Sequence, residues 1–320
     1  MTRQELIDLL DGLLEQDHRL STVVYAVIKN TYEIKKLAII ANAIDDVQAI
    51  FCDSINHLII DKEDQGLINV STADDRSNTI FEYDLELPAG LAFFGNQLND
   101  QLPIFDSRTD DFSDIEYLII EIGTAENQLK LLKKLSPIEV FGKGGFSLWP
   151  TRENAQRIEK FEDKVLRISP SFNALYINDT YIFMNMTLLE KSHGFHDVII
   201  REATSSIERI GQIELLETSE GLIDMLKNIS FARRVVKVRN SPVLTRKISN
   251  EKIIEFTRRH PSLINKMKYS EDGTKLILHT NIAKELFIKM LDDAYLISEL
   301  TEQNYESKAK DAVTILLVEE

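Results

Sequence analysis

Residues 115–123 read IEYLIIEIG, an almost unbroken apolar run that is rich in β-branched residues. Such a run predicts a short strand buried inside a sheet. The residues that follow, ENQLKLLKKL (126–135), predict a helix, and IEVF (138–141) predicts another short strand. Strands and helices that mix without regular alternation are typical of an α+β fold.

The same mixture continues on both sides of this stretch. On the N-terminal side, leucines at helical spacing predict an amphipathic helix, and TVVYAVIK (22–29) and YEIKKLAII (32–40) predict strands. On the C-terminal side, ALYINDTYIFM (174–184) predicts a hairpin that turns at Asn178-Asp179. KMKYSEDGTKLILHT (266–280) predicts a second hairpin. The leucines are Leu6, Leu9, Leu10, Leu13 and Leu14.

A chain of 320 residues is long for one domain, so the sequence predicts two lobes, each mixing short strands and helices. The glycine-rich segment FGKGGFSLWPTREN (141–154) is the predicted boundary. It divides an acidic N-terminal α+β domain, 1–145, from a C-terminal α+β domain, 146–320. FGKGGFS lacks the spacing of a phosphate-binding P-loop, and we interpret it as a turn between the lobes.

The charge of the chain is unevenly distributed. The net charge is -15 overall and -14 over residues 1–150, but residues 227–268 carry +10. In that segment 12 bases meet only two acids, Glu251 and Glu255, so neutralisation within the segment does not account for it. A cationic segment in an acidic chain favours a polyanionic partner, either the phosphates of nucleic acid or another acidic surface.

Within this segment, FARRVVKVR (231–239) predicts a helix that is capped by Ser230 and that ends before Asn240 and Pro242. At 100° per residue, its apolar side chains share one arc, and three cations lie on the opposite side. A second predicted helix, about 251–260, carries further cations. We expect contacts to phosphates rather than to bases, since no base-recognition motif is present. The predicted nucleic-acid-binding residues are Arg233, Arg234, Lys237, Arg239, Arg246, Lys247, Lys252, Arg258 and Arg259.

Other candidate chemistry is weak. His193 and His196 stand at metal-ligand spacing, but the sequence offers no third ligand near them, and we interpret them as surface residues. Two groups of aspartates could hold a divalent cation if they converged, although such clusters are usually solvated. No GxSxG or HExxH motif is present, so we assign no catalytic residue, metal ligand or cofactor. The aspartates are Asp45, Asp46 and Asp53, and Asp110, Asp111 and Asp114.

The single cysteine, Cys52, excludes an intrachain disulfide and fits a reducing cytosol. The first residues lack the basic start and apolar block of a secretion signal, and no apolar run is long enough to cross a bilayer. We therefore expect a cytoplasmic protein that reaches a membrane only through a partner.

Three segments together resemble the KwaB family, the soluble component of the bacterial Kiwa antiphage system. They begin EYLIIEIGTAENQLKLLKKL, KVLRISPSFNALYINDTYIF and RRHPSLINKMKYSEDGTKLILHT, and the resemblance spans about residues 115–303. The family has no short catalytic signature, so the resemblance transfers no catalytic residue.

The resemblance implies a cytoplasmic defence protein that binds DNA and suppresses phage DNA replication and expression. It also implies a partner, the small multi-spanning membrane protein KwaA, which senses infection. From the resemblance and from general priors we expect a homodimer or a higher homo-oligomer. Two alternatives stay open: a metal-dependent enzyme that processes nucleic acid, and a scaffold that binds the membrane partner and no DNA.

Overall fold

The structure, a computed structural model, describes residues 1–16, 20–74, 76–99, 101–124, 127–141, 146–150, 156–160, 164–298 and 300–307. Helices and strands are mixed along the chain, which confirms the predicted α+β class. The helices are α1 Arg3–Leu14, α2 Ala41–Ile55, α3 Thr187–Glu190, α4 Phe195–Gln212, α5 Glu220–Ile223, α6 Ile229–Val238, α7 Pro242–Thr245, α8 Asn250–Arg259 and α9 Asn281–Leu291. The strands are β1 Ser21–Ile28, β2 Ile34–Lys36, β3 Gly66–Asn69, β4 Thr79–Glu82, β5 Ile115–Gly123, β6 Gln128–Lys134, β7 Val140–Phe141, β8 Phe146–Pro150, β9 Gln156–Lys160, β10 Val165–Leu166, β11 Ala174–Ile177, β12 Thr180–Phe183, β13 Lys268–Tyr269, β14 Leu276–Ile277, β15 Tyr295–Ile297 and β16 Asn304–Glu306.

One eight-stranded sheet has the order β2-β1-β5-β6-β11-β12-β4-β3. Neighbours from β2 through to β4 are antiparallel. The predicted strand IEYLIIEIG is confirmed as β5, which lies between β1 and β6. Most of its side chains, on both faces of the sheet, are buried.

The prediction of a helix over 126–135 is wrong, because this segment forms strand β6. Its leucines satisfy either periodicity, but pairing with β5 and β11 on both sides sets the extended form: Leu131 lies opposite Ile120 and Leu175. The strand also buries Lys130 and Lys133, and these charged residues obscured the pattern of buried positions in the sequence. The ammonium of Lys130 donates to the Asn96 carbonyl at 2.9 Å. Pairing between distant strands here outweighs local propensity.

The predicted hairpin at Asn178-Asp179 is confirmed. Both residues have positive φ, 45° and 58°, as a two-residue turn of the favoured hand requires. The second predicted hairpin is also confirmed, with β13 paired to β14 and Gly273 at φ 70°. The predicted strand over residues 32–40 is confirmed only in part. Only Ile34–Lys36 forms a strand, β2, and a turn precedes it.

The described contacts divide the chain into two compact units. The first comprises residues 1–67, 78–83 and 91–188, and the second comprises 68–77, 84–90 and 189–320. This division falls after Leu188 rather than near residue 145, since β11 on the C-terminal side of that residue pairs with β6. Residues 142–145 of the predicted boundary and of FGKGGFS lie outside the described residues.

The core of the first unit lies between the sheet and helices α1 and α2. The predicted leucine helix is confirmed as α1, which buries Leu6, Leu10 and Leu13 against the sheet. From α2, Phe51 and Ile55 join the same cluster. This core positions the sheet but carries none of the predicted site residues.

The second unit is mainly helical. Helix α6 packs against α4 and α9, and its apolar side chains are almost fully buried there. Full burial of aliphatic and aromatic side chains such as Phe231 and Val235 stabilises the fold by about 1.5–3 kcal/mol each. All nine predicted nucleic-acid ligands lie in this unit.

Candidate nucleic-acid interface

Helix α6 has the two faces that the sequence predicts. Its N-cap is Asn228 rather than Ser230, because the Asn228 side chain accepts from the backbone N–H groups of Ser230 (3.0 Å) and Phe231 (3.3 Å). The apolar face is buried as predicted. Its residues are Phe231, Ala232, Val235, Val236 and Val238.

The opposite face of α6 is paired with acids that come from other helices. Its three cations, and Arg239, which follows the last residue of α6, each lie within ion-pair distance of a carboxylate on α3, α4, α9 or the residue that follows α9. We call these four residues the α6 cations. The pairs are Arg233 with Glu190 (2.8 Å), Arg234 with Glu285 (3.6 Å), Lys237 with Asp292 (3.3 Å) and Arg239 with Glu202 (2.7 Å).

These four cations are half-buried. Their side chains are between 17% exposed, at Lys237, and 36% exposed, at Arg234. The guanidinium of Arg233 also lies over the Phe195 ring, 5.6 Å from its centroid. Acids that are remote in sequence therefore neutralise these four cations, although other cations of residues 227–268 keep no such partner among the described residues. A phosphate that binds there must compete with carboxylates already in place.

Cations of the α7–α8 segment have a different environment. Arg246, Lys247, Lys252 and Arg259 are exposed, and none forms an ion pair with any residue that the structure describes. We call these four residues the α7–α8 cations. Long cationic side chains held in water are well suited to contact phosphates.

Two short helices position the α7–α8 cations. The Ser241 hydroxyl accepts from the Val243 N–H to cap α7, and Ser249 caps α8. In α8, Ile253 and Ile254 are buried, which directs Lys252 and Arg259, seven residues apart, to one exposed side.

The ninth predicted ligand, Arg258, is exposed but engaged. Its guanidinium donates to the Gly273 carbonyl at 3.2 Å and lies 4.7 Å from the centroid of the Tyr269 ring. These contacts tie α8 to the β13–β14 hairpin, so Arg258 has a structural role that the α7–α8 cations lack.

The candidate metal ligands do not converge in the structure. Among the described residues, no group of three or more His, Cys, Asp or Glu side chains could hold a metal ion. His193 and His196 are exposed, as are Asp45, Asp46 and Asp53. The structure therefore places no described metal centre at either predicted cluster.

Cations already engage the second aspartate group. Asp110 accepts from Lys35 at 2.9 Å, and Asp111 accepts from Lys164. The hydrogen bond from Lys164 lowers the pKa of Asp111 to about 2, so this carboxylate is ionised at neutral pH. None of the described helices is long and apolar enough to cross a bilayer.

Comparison with known proteins identifies the family. The model of the Kiwa protein KwaB-like family matches residues 112–301. The chain belongs to this family. It is 28% identical over 322 residues to the Kiwa protein KwaB of Escherichia coli O55:H7 (strain RM12579 / EPEC), with 97% of this chain and 99% of that protein aligned. No solved structure matches the chain. Membership of the KwaB-like family makes the chain a Kiwa antiphage defence protein.

Sequence reasoning missed the acids that pair with α6, since Glu190, Glu202 and Glu285 lie on three other helices. No local pattern marks them. It also missed Tyr295 and His260, two buried polar residues beside the α7–α8 cations. A tyrosine in the apolar context AYLI (294–297) gave no signal of a site.

Proposed function

We propose that the chain acts in antiphage defence by binding DNA through its phosphates, with the α7–α8 cations as the main contacts. One observation carries the proposal: these four cations are exposed and have no ion-pair partner among the described residues. The α6 cations differ because carboxylates already engage them, so they are secondary contacts at most.

Phosphate binding of this kind is electrostatic and independent of base sequence. An acidic protein binds DNA only where a local patch outweighs its overall charge of -15, so the bound surface is confined. DNA held there is less accessible to replication and transcription. The chain thereby suppresses phage DNA replication and expression.

The proposal includes two protein partners. The first is a small multi-spanning membrane protein of the KwaA type, which the acidic first part of the chain contacts through basic cytoplasmic loops. The second is another copy of the chain, in a homodimer or higher homo-oligomer. Two copies of the α7–α8 cations would raise the avidity for one DNA molecule.

A salt titration of duplex DNA binding tests the DNA proposal with matched variants. One variant changes the four α7–α8 cations, Arg246, Lys247, Lys252 and Arg259, to Gln. The control changes the four α6 cations to Gln, which alters the net charge equally. We expect the first variant to lower the slope of log affinity against log salt by about 0.9 for each contact, or roughly 3–4 in all. The control should lower it by less than about 1. The α6 cations are Arg233, Arg234, Lys237 and Arg239.

The same titration separates the alternatives. Equal effects of both variants would mean that net charge rather than the α7–α8 cations governs binding. No binding of wild-type protein to duplex, single-stranded DNA or RNA at low salt would favour the scaffold. Cleavage of any of these that requires Mg²⁺ would favour the enzyme.

Charge variants also test the membrane partner. Deletion of the first 110 residues would remove β1, which lies beside β5 in the sheet, so point changes are needed. Asp45, Asp46 and Asp53 on α2 are exposed, and their change to Asn should weaken co-purification with the membrane protein. Changing the exposed acids Glu208, Glu217 and Glu220 to Gln is the control. Equal co-purification of both variants would contradict the proposed docking surface.

Light scattering of the wild-type protein tests the proposed homo-oligomer. A molecular mass that corresponds to a monomer would contradict it.

A further inference from the structure

A cavity of about 270 Å³ lies beside the α7–α8 cations. Its wall is apolar and aromatic, with Ile253 and Phe256 from α8, Met290 from α9 and Tyr295 from β15. Ile253, Met290 and Tyr295 are buried, and Phe256 is half-buried. The volume is close to the lower limit of small-ligand pockets, about 300 Å³.

Charged side chains also line this cavity. Arg246 and Lys252 belong to the α7–α8 cations, and both border it. Asp293 is an exposed acid in the same lining. An aromatic wall with two cations beside it matches a flat apolar group that carries an anion.

Two buried polar atoms in this region have no hydrogen-bond partner among the described residues. Tyr295 is 7% exposed, and its hydroxyl makes no hydrogen bond with any described residue. His260 is 4% exposed, and its ring centroid lies 4.7 Å from that of Tyr295. Its Nδ1 accepts from the Ser262 N–H at 3.3 Å, which assigns the proton to Nε2, and Nε2 has no described partner.

Both groups are neutral at pH 7. Burial, with a smaller contribution from Glu306, raises the pKa of Tyr295 to about 12, and burial lowers the pKa of His260. Neither polar atom is accessible to solvent, so the cavity presents the ring of Tyr295, and not its hydroxyl, to a ligand.

We propose that this cavity binds one nucleotide, with its base beside Phe256 and Tyr295 and its phosphate on Arg246 and Lys252. The inference rests on the proposed function, because the same two cations serve both. The nucleotide is either free in solution or an unstacked residue of a single strand, since both present the same base and phosphate.

Other ligand classes fit the cavity less well. A fatty acyl chain has no π-face for the aromatic rings, and a sugar would face too few polar side chains. A base presents a π-face to the rings of Phe256 and Tyr295. Asp293 can accept a hydrogen bond from an exocyclic amino group, and stacking on aromatic side chains is how single strands are commonly held.

Base-dependent binding tests this proposal in the full-length protein. Two single strands of equal length are compared, one with bases and one with abasic sites throughout, so that the phosphates are the same. We expect the strand with bases to bind about 5- to 100-fold more tightly, the fold-change that stacking of one base produces. Calorimetry with free mononucleotides is the second arm, and it shows whether a free nucleotide suffices.

Two variants locate the effect. Phe256→Leu and Tyr295→Leu each remove one aromatic ring of the cavity wall, and each should reduce the preference for the strand with bases while leaving abasic binding unchanged. Tyr269→Leu is the matched control, because it removes a ring that lies outside the cavity lining. Thermal melting verifies the fold of each variant.

The outcomes separate this inference from the proposed function. If wild-type protein binds both strands equally and binds no free mononucleotide, the cavity does not hold a nucleotide, although phosphate binding stands. If it binds neither strand, no mononucleotide and no duplex, both proposals fail. Base-dependent binding that Phe256→Leu and Tyr295→Leu leave unchanged would also overturn the cavity as its site.

Discussion

The guanidinium of Arg239 and the carboxylate of Glu202 form an ion pair of 2.7 Å between residues 37 positions apart in the chain. Arg239 follows the last residue of α6, and Glu202 lies in the middle of α4. Arg239 has no acid next to it in the sequence, and Glu202 pairs with Arg239 rather than with the adjacent Arg201, whose guanidinium contacts Glu86. The charge balance of the second unit is therefore a property of its helix packing and not of any one segment.

A double-mutant cycle should measure the coupling of this pair. The two side chains are 29% and 23% exposed, so solvent screens their attraction only in part. We expect a coupling free energy of about 1 kcal/mol, at the upper end for exposed pairs. Urea unfolding of wild type, Arg239→Gln, Glu202→Gln and the double variant provides it. Strictly additive effects would mean that the pair contributes nothing to stability.

The cap of α6 gives a second prediction. Asn228→Ala should lower the free energy of unfolding by about 1 kcal/mol, because the Asn228 side chain satisfies two backbone N–H groups. Ser230→Ala is the control, since Ser230 is exposed and its backbone N–H, not its hydroxyl, is the bonded group. Equal destabilisation by both variants in urea unfolding would contradict the observed cap.

A buried ion pair in the first unit predicts a dependence of stability on pH. Lys133 and Glu139 are 3% and 9% exposed and lie 2.9 Å apart. Burial opposes ionisation of Glu139, but hydrogen bonds from Ser169 and the Ser136 N–H, together with Lys133, outweigh it and lower its pKa to about 2. A carboxyl whose pKa is lower in the folded state stabilises the protein above its unfolded value of 4.5. That contribution, about 3 kcal/mol, is lost as the pH falls from about 5 towards 2.

Unfolding of wild type and Glu139→Gln at pH 6 and pH 3 tests this linkage. The variant should be less stable at pH 6 by about 3 kcal/mol, because it leaves the Lys133 charge buried without its partner. Its stability should also change less between the two pH values. Glu63→Gln, at an exposed position, should behave like wild type at both. A steep pH dependence that persists in Glu139→Gln would assign the linkage to other carboxyls.

Local patterns were sufficient for part of the fold. The turn at Asn178-Asp179 was predictable because both residues tolerate the positive φ that a tight hairpin needs. The buried face of α6 was predictable because helical projection needs no knowledge of its neighbours. In both cases the decisive information lies within about ten residues.

Non-local information decided the rest. The segment 128–134 is a strand because β5 and β11 pair with it, and neither its spacing nor its two buried lysines indicate this. The nine predicted ligands divide into paired and unpaired cations only when α3, α4 and α9 are in place. For the same reason, the cavity beside Tyr295 draws its lining from separate elements and has no signature in the sequence.

The effect of charge reversal on thermal stability should distinguish the α6 cations from the α7–α8 cations. Changing Arg233, Arg234 and Lys237 together to Glu replaces three ion pairs with three like-charge contacts. Partly exposed pairs contribute up to about 1 kcal/mol each, and each kcal/mol shifts Tm by about 2–4 °C in large domains. We therefore expect Tm to fall by about 5–10 °C, although all three residues lie opposite the apolar face of α6.

The matched variant changes Arg246, Lys247 and Lys252 to Glu and reverses the same number of charges. These residues are exposed and have no described ion-pair partner, so Tm should fall by less than in the α6 variant, and by at most about 3–6 °C, since exposed substitutions rarely exceed about 0.5 kcal/mol each. Glu at position 252 would even complete a capping box with Ser249, the N-cap of α8. Duplex DNA binding should show the opposite order, with the greater loss in this variant. If the α6 variant melts like wild type and loses DNA binding, its cations contact DNA despite their carboxylate partners, and the α7–α8 cations are not the main contacts.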